Sequence, residues 1–336
     1  MKKNIIIIFI FLIFLCSNSF AYNKNYANNS DVKIFINDLA KNEGFDKKEL
    51  INLFSKVEVQ NSALKYYLKA KKSDIKIMKK NYGSWDRYEE KLLNKKRIDL
   101  GIEFMKRNKK VLVQAYKKFG VQPEYITAII GVESYYGLFM GNYPVFDTLS
   151  TLSFEENRKN KFFKNELKEF LKLTKKNKQN PKSINGSFAG AIGLAQFMPS
   201  NFKRLAVDFN KDNKVDLNNE VDAIGSVANY FQKSGWNKYL PVATRVSYKG
   251  KRFTKFKTGF KHKYKRSKLR GISPKNKNFF YNNKVHLVKL NRKKFDELWY
   301  GTKNFYVITR YNRSSYYAMA VHKLAKEIRK EYKLRS

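Results

Sequence analysis

The stretch YITAIIGVESYYG, Tyr125–Gly137, decides how this chain is read. Pro123 precedes it and suits a first helical turn, because the N–H it lacks is one a helix leaves unbonded there. Ile126, Ile129, Ile130 and Glu133 then recur at i, i+3, i+4 and i+7, on one face of the predicted helix. A carboxylate therefore sits on the apolar stripe. Burying it charged is costly unless it is paired or neutralised, and burial raises its pKa. A carboxylic acid still protonated near neutral pH is what general acid catalysis requires. A structural glutamate bonded to backbone or tyrosine gives the same pattern, so both readings stand at this point.

The surroundings read as helical. FINDLAKNEGFDKKELINLFSKV gives a helix, a stop at Gly44, and a second helix with Asp46 and Glu49 at capping-box spacing. LGIEFMKRNKKVLVQAYKKFG is amphipathic and ends at Gly120. KFFKNELKEFLKLTKKNKQ, EVDAIGSVANYFQKSG and SSYYAMAVHKLAKEIRKEY add three more helices, whereas residues 22–30 read as loose and polar. After Pro241 the character changes, and KVHLVKLNR and NFYVITRYN read as strands. Between residues 249 and 270 eleven Lys or Arg occur with no acid, interleaved with Phe253, Phe256, Phe260 and Tyr264. Such a stretch is a solvated hairpin or loop, or a surface on which a polyanion or bases stack. The expected class is mainly α, formally α+β.

The chain has 336 residues and a formal charge of +42, from 70 Lys+Arg against 28 Asp+Glu. Such a field draws polyanions. MKKNIIIIFIFLIFLCSNSFA has a basic start, an apolar run and a small-x-small end, the pattern of a secretory signal peptide over 1–21. Its removal leaves 42 − 2 = +40 and takes away the single cysteine, Cys16. No disulfide or thiol nucleophile is then available. Leu15 is bulky where a lipid-attachment site wants a small residue, so no lipid anchor is expected. Export also argues against an intracellular nucleic-acid partner.

DFNKDNKVD places Asp208, Asn210, Asp212, Lys214 and Asp216 at alternate positions. That is the start of an EF-hand-like calcium loop, in which Lys214 offers its backbone carbonyl. Asn213 stands where glycine is usual, and position twelve is Asn219, so Glu220 or Asp222 must close the shell.

Four segments, AIIGVESYYG, GSFAGAIGLAQFMPS, VDAIGSVANYF and TRYNRSSYYAMAV, occur in the order found in the membrane-bound lytic murein transglycosylase B family, which the chain resembles over roughly residues 31–328. The resemblance implies a lysozyme-like helical catalytic core with additional helices and a small antiparallel β domain. It implies a signal peptide (1–21), an N-terminal helical region (22–120), a catalytic core with the EF-hand-like loop (121–240), a small basic β domain (241–309) and a C-terminal segment and helix returning to the core (310–336). It implies cleavage of the MurNAc-β-1,4-GlcNAc bond of peptidoglycan with formation of 1,6-anhydro ends, Glu133 acting as acid and then base. Ser187, Gln196, Tyr230, Tyr311, Asn312 and Tyr317 match residues of the family's glycan cleft. Arg158 and Lys159 match a basic pair that holds stem-peptide carboxylates; the family has Arg-Arg, and lysine loses the bidentate fork. Asp208, Asn210, Asp212, Lys214 and Asp222 match the ligands of a structural Ca2+, and no cofactor is needed for catalysis. The partners implied are peptidoglycan glycan strands and anionic cell-wall polymers, and the protein is expected to be a periplasmic monomer. A hydrolytic muramidase on the same scaffold and a non-catalytic basic wall-binding protein are the competing functions.

Overall fold

In the computed structural model, residues 22–68 and 83–335 are described; the expected signal peptide falls outside them. The described residues form thirteen α-helices, a four-stranded antiparallel sheet and two two-residue strand pairs. They belong to two compact units, each discontinuous in sequence: 83–136 with 220–335, and 22–68 with 137–219.

The first unit is built around the helix Pro123–Ser134. Pro123 opens it as expected, but burial is not confined to one stripe, since every residue from Glu124 to Val132 is buried. Helices Lys95–Arg107, Lys109–Phe119, Glu220–Lys233 and Ser315–Leu334 pack around it. Small residues make this possible: a Cβ added at Gly131, or at Gly101 on a neighbouring helix, would overlap the Tyr136 phenol. The polar groups of this helix are answered locally. Glu124 accepts a 2.9 Å bond from Arg329, and the Tyr125 hydroxyl lies 2.8 Å from His322 Nδ1.

The helix ends abruptly after Ser134. Tyr135 (φ 54°), Tyr136 (φ 62°) and Gly137 (φ 93°) all take left-handed conformations. Two consecutive tyrosines with positive φ are strained, and such strain persists only where the surroundings enforce it. Here the Tyr136 side chain is buried, and the Arg97 guanidinium lies 4.4 Å from the Tyr135 ring centroid.

The sheet runs Ile272–Pro274, Ala243–Tyr248, Asp296–Gly301, His286–Asn291, with His286 opposite Gly301 and Asn291 opposite Asp296. KVHLVKLNR forms a strand as expected, but NFYVITRYN is the helix Lys303–Tyr311. Its β-branched and aromatic residues alternate well enough to resemble a strand. The Thr302 hydroxyl decides otherwise, accepting the Asn304 N–H at 3.1 Å as a helix N-cap. Residues 249–270 make short 3₁₀ turns rather than a hairpin, and their aromatics turn inward: Phe253 and Phe260 are buried, and Phe256 and Tyr264 pack on the sheet core. They are not a base-stacking surface.

Charged residues tie the sheet to two helices of the same unit. Arg292 pairs with Asp86 (2.9 Å), Glu89 (2.5 Å) and Glu297 (2.9 Å). Lys323 reaches Glu89 at 2.6 Å and lies 5.2 Å from the Trp85 ring centroid, while Trp299 Nε1 donates to Glu297 at 2.7 Å. Several charges satisfied together hold geometry better than isolated surface pairs do.

The second unit packs Ser30–Glu43, Lys47–Ser55, Val145–Phe154 and Asn160–Lys176 over a core containing Phe54, Phe146, Phe163 and Phe170. Gly44 closes the first of these at φ 65°, and the Asp46 carboxylate caps the second by accepting the Glu49 N–H at 2.8 Å. Residues 22–30 are not loose: Tyr26 is fully buried, and Asn23–Lys24 pairs with Val57–Glu58.

Candidate active site

Glu133 sits in the last turn of the central helix and is the one residue there, after Val132, that keeps part of its surface open. Its Oε1 accepts a short hydrogen bond from the Tyr317 hydroxyl. Burial of the carboxyl pushes its pKa from 4.5 up to about 7, and the Tyr317 bond, which favours the ionised form, opposes that rise. The shift arises from desolvation rather than from a neighbouring carboxylate, so one acid here carries the proton.

Phenols surround the carboxyl. Tyr317 and Tyr311 are both held well above the ordinary phenol range, first by burial and then by the charge on Glu133. They are therefore neutral donors at any working pH. Tyr230 packs its ring 4.6 Å from that of Tyr311 and donates to the Arg310 carbonyl at 2.6 Å. Asn312 ends the helix Lys303–Tyr311 in an extended conformation, and its carbonyl accepts the Ser314 N–H at 2.7 Å. Sequence reasoning missed Tyr88. Burial and then the Glu133 charge push its pKa up as well, so its hydroxyl lies within electrostatic reach of the acid. Nothing in its helix, Ser84–Leu92, marks that tyrosine, and only the folded chain shows it.

The remaining candidates belong to the second unit. Ser187 and Gln196 lie in one glycine-rich loop. Ser187 Oγ accepts the Ala191 N–H at 3.0 Å, and Gln196, at φ 49°, donates from Nε2 to the Met140 and Gly193 carbonyls, both at 2.9 Å. Gly193 is required there, because at φ 72° an added Cβ would meet the Leu217 backbone. Arg158 donates to the Tyr67 carbonyl at 3.2 Å and Lys159 lies 5.9 Å from the Tyr67 ring centroid, its amine pulled down by burial and by Arg158. Asp147 pairs with Lys182 at 2.7 Å and accepts the Glu58 N–H at 3.0 Å.

The acidic loop folds as its spacing suggests. Asp208 accepts the N–H groups of Lys211 (2.6 Å) and Asn213 (2.9 Å), and Asn213 takes the left-handed conformation, φ 69°, that glycine usually supplies. Asn210 Nδ2 donates to Asp212 at 2.8 Å. Among the described residues no cluster of three or more His, Cys, Asp or Glu forms a metal centre by itself, so amide and backbone oxygens would have to complete any shell. Glu220 is spent on Arg107 (2.7 Å) and Asn108 (2.6 Å), while Asp222 is fully buried in the first turn of Glu220–Lys233.

The family model for the transglycosylase SLT domain matches residues 27–326. The chain belongs to that family. Over 307 residues it is 37% identical to the membrane-bound lytic murein transglycosylase B of Escherichia coli K12, covering 90% of this chain and 84% of that protein. The E. coli lytic transglycosylase Slt35 in complex with calcium superposes with a TM-score of 0.85 at 36% identity, covering 93% of this chain and 96% of that one. The catenated lytic transglycosylase SltB1 of Pseudomonas aeruginosa gives 0.82 at 35%, covering 91% of this chain and 99% of that one. The fold is thus the mainly helical, lysozyme-like one of the lytic transglycosylases. The protein is a lytic transglycosylase, a lyase of peptidoglycan glycosidic bonds that needs no catalytic cofactor.

The raised pKa of Glu133 has a stability consequence. Below pH 4.5 the carboxyl is protonated in both folded and unfolded states and contributes no penalty. As pH rises towards 7 the unfolded chain ionises freely and the folded one does not, so stability falls and then levels off. A carboxyl moved from 4.5 to about 7 loses roughly 3 kcal/mol, reduced here by partial solvent access to roughly 1–3 kcal/mol. Glu133→Gln is therefore expected to stabilise the protein by that amount at pH 8 and to leave it unchanged at pH 4, read by urea denaturation. Equal stabilisation at both pH values contradicts the account.

Proposed function

We propose that Glu133 is the single catalytic acid and base of this lyase, cutting between MurNAc and GlcNAc. The observation that carries this reading is a carboxyl raised to about 7 with a phenol hydrogen-bonded to it. Protonated Glu133 gives its proton to the glycosidic oxygen as the C1–O bond of MurNAc breaks. The resulting carboxylate takes the proton of the MurNAc C6 hydroxyl, whose oxygen bonds to C1 and closes a 1,6-anhydro ring. No water is consumed and the acid is regenerated. Ordinary glycosidases use two carboxylates roughly 5–9.5 Å apart; here the MurNAc N-acetyl oxygen would take the part of the second.

In this reading Tyr88, Tyr230, Tyr311, Tyr317 and Asn312, with Ser187 and Gln196, bind the glycan, since a tyrosine ring covers the apolar face of a sugar while its hydroxyl bonds the edge. Arg158 and Lys159 meet the stem-peptide carboxylates. The enzyme works after export, in the periplasm, as a monomer without a lipid anchor, and the charge of 42 − 2 = +40 left once the signal peptide is removed holds it on anionic wall polymers. The boundaries 22–120, 121–240, 241–309 and 310–336 describe how its parts divide this work.

Digestion of purified sacculi followed by mass spectrometry tests the reaction. Anhydro-MurNAc ends are expected throughout, with Glu133→Gln slower by about 10²–10⁴-fold, the usual weight of a general acid. Reducing MurNAc ends, or an active Gln variant, contradict it.

We also propose that the acidic loop holds one structural Ca2+ through Asp208, Asn210, Asp212, the Lys214 carbonyl and Asp222. The turn around Asp208 and the left-handed Asn213 support this reading, and a relative carries calcium in its structure. Bound calcium would supply positive charge that draws these oxygens together, and no part of catalysis. Ligand at about 100 times its Kd stabilises by about 2.7 kcal/mol. Millimolar Ca2+ added after chelation is expected to raise Tm by several degrees in the wild type and not in Asp208→Ala; an unmoved wild-type Tm contradicts the site.

A further inference from the structure

The side chain that precedes Tyr317 makes its contacts with Ser84, Trp85, Tyr88 and Asn291. Tyr316 lies in the first turn of Ser315–Leu334, where a helix is least secure because its leading N–H groups lack intrahelical partners. That turn carries Tyr317, the partner of Glu133, and its own cap is weak, Ser314 accepting the Tyr317 N–H at 3.3 Å. Tyr316 supplies what the cap does not. Its hydroxyl is 2.9 Å from Ser84 Oγ and accepts the Asn291 N–H at 3.1 Å. Its ring meets Trp85 edge-on, with centroids 5.2 Å apart at 87°, and Tyr88 at 5.7 Å and 62°.

Those contacts are themselves anchored. Ser84, Trp85 and Tyr88 share the helix Ser84–Leu92, which Asp86 and Glu89 fasten to Arg292, and Glu89 to Lys323 of the Tyr316 helix. Asn291 ends the strand His286–Asn291, next to Arg292. Tyr316 therefore touches through its ring one phenol that feels the charge of Glu133, and neighbours along the chain the phenol that bonds to it. We infer that Tyr316 is a positioning residue for catalysis, its doubly bonded hydroxyl fixing where Tyr88 and Tyr317 stand around Glu133.

The inference rests on Glu133 being the acid, and Glu133→Gln tests that premise separately. Among the described residues of this unit, Tyr317 bonds to Glu133 and Tyr88 and Tyr311 feel its charge; the charges beyond Tyr316 are Asp86, Glu89, Glu297, Arg292 and Lys323, already paired with one another. Tyr316→Phe deletes only the hydroxyl. Because Tyr317 donates to the carboxylate, loosening it raises the pKa of the acid, so the alkaline limb of the pH–rate profile moves to higher pH.

The experiment measures kcat, KM and the pH profile of Tyr316→Phe on a soluble glycan chain, well below its Tm. The expected result is a kcat lowered about tenfold, KM within about twofold, and the alkaline limb displaced upwards. Ser84→Ala removes one of the two hydroxyl partners and leaves the phenol in place. It is expected to move kcat and the limb in the same directions by less, and it decides the matter if the Phe variant does not fold. A lower Tm with wild-type kcat and an unmoved limb makes Tyr316 merely structural and overturns the inference, as does a reduced kcat with the limb in place. If Glu133→Gln stays active, the premise fails, and that outcome is distinct from either.

Discussion

A carboxyl group largely withdrawn from water at the end of a buried helix is the constraint on which this structure turns. An ionised glutamate is poorly tolerated there, and the chain offers it a neutral phenol instead of a cation. An arginine in place of Tyr317 would have held the carboxyl ionised and removed the proton that the proposed chemistry uses. The hydroxyl satisfies the oxygen while leaving the balance near neutrality, where a general acid is most effective.

Keeping the group in that position places demands on its surroundings. Gly131 and Gly101 leave room for the Tyr136 phenol, and Tyr135 and Tyr136 adopt left-handed backbone conformations to end the helix just after Glu133. The ion network about Arg292 and the aromatic contacts of Tyr316 then hold two further elements of the same unit. Strain close to the acid is balanced by packing and pairing farther out, as is common where a site must be held in one geometry.

Much of this was legible in the sequence, and the reason is local. Pro123, Gly44 and the Asp46 cap act through backbone within a few residues, so pattern alone finds them. The apolar setting of Glu133 was equally visible, although its helix is buried all round and not on one stripe. What failed depended on contacts distant in sequence. NFYVITRYN looked like a strand until Thr302 capped it as a helix, and 249–270 left a solvated hairpin or loop and a stacking surface both open until Phe253, Phe256 and Tyr264 packed on the sheet core. Tyr88 and Tyr316 carry no motif of their own, and only folding brings them beside the acid and its partner.

The central claim concerns one proton, and it is best measured on that proton directly. In protein carrying ¹³C at the glutamate carboxyls, the resonance absent from Glu133→Gln identifies Glu133, and its chemical shift can be followed from pH 3 to 9. The account predicts a midpoint at about 7. A midpoint near 4.5, the ordinary value, would mean that the buried helix end leaves the carboxylate charged, and the account would be contradicted.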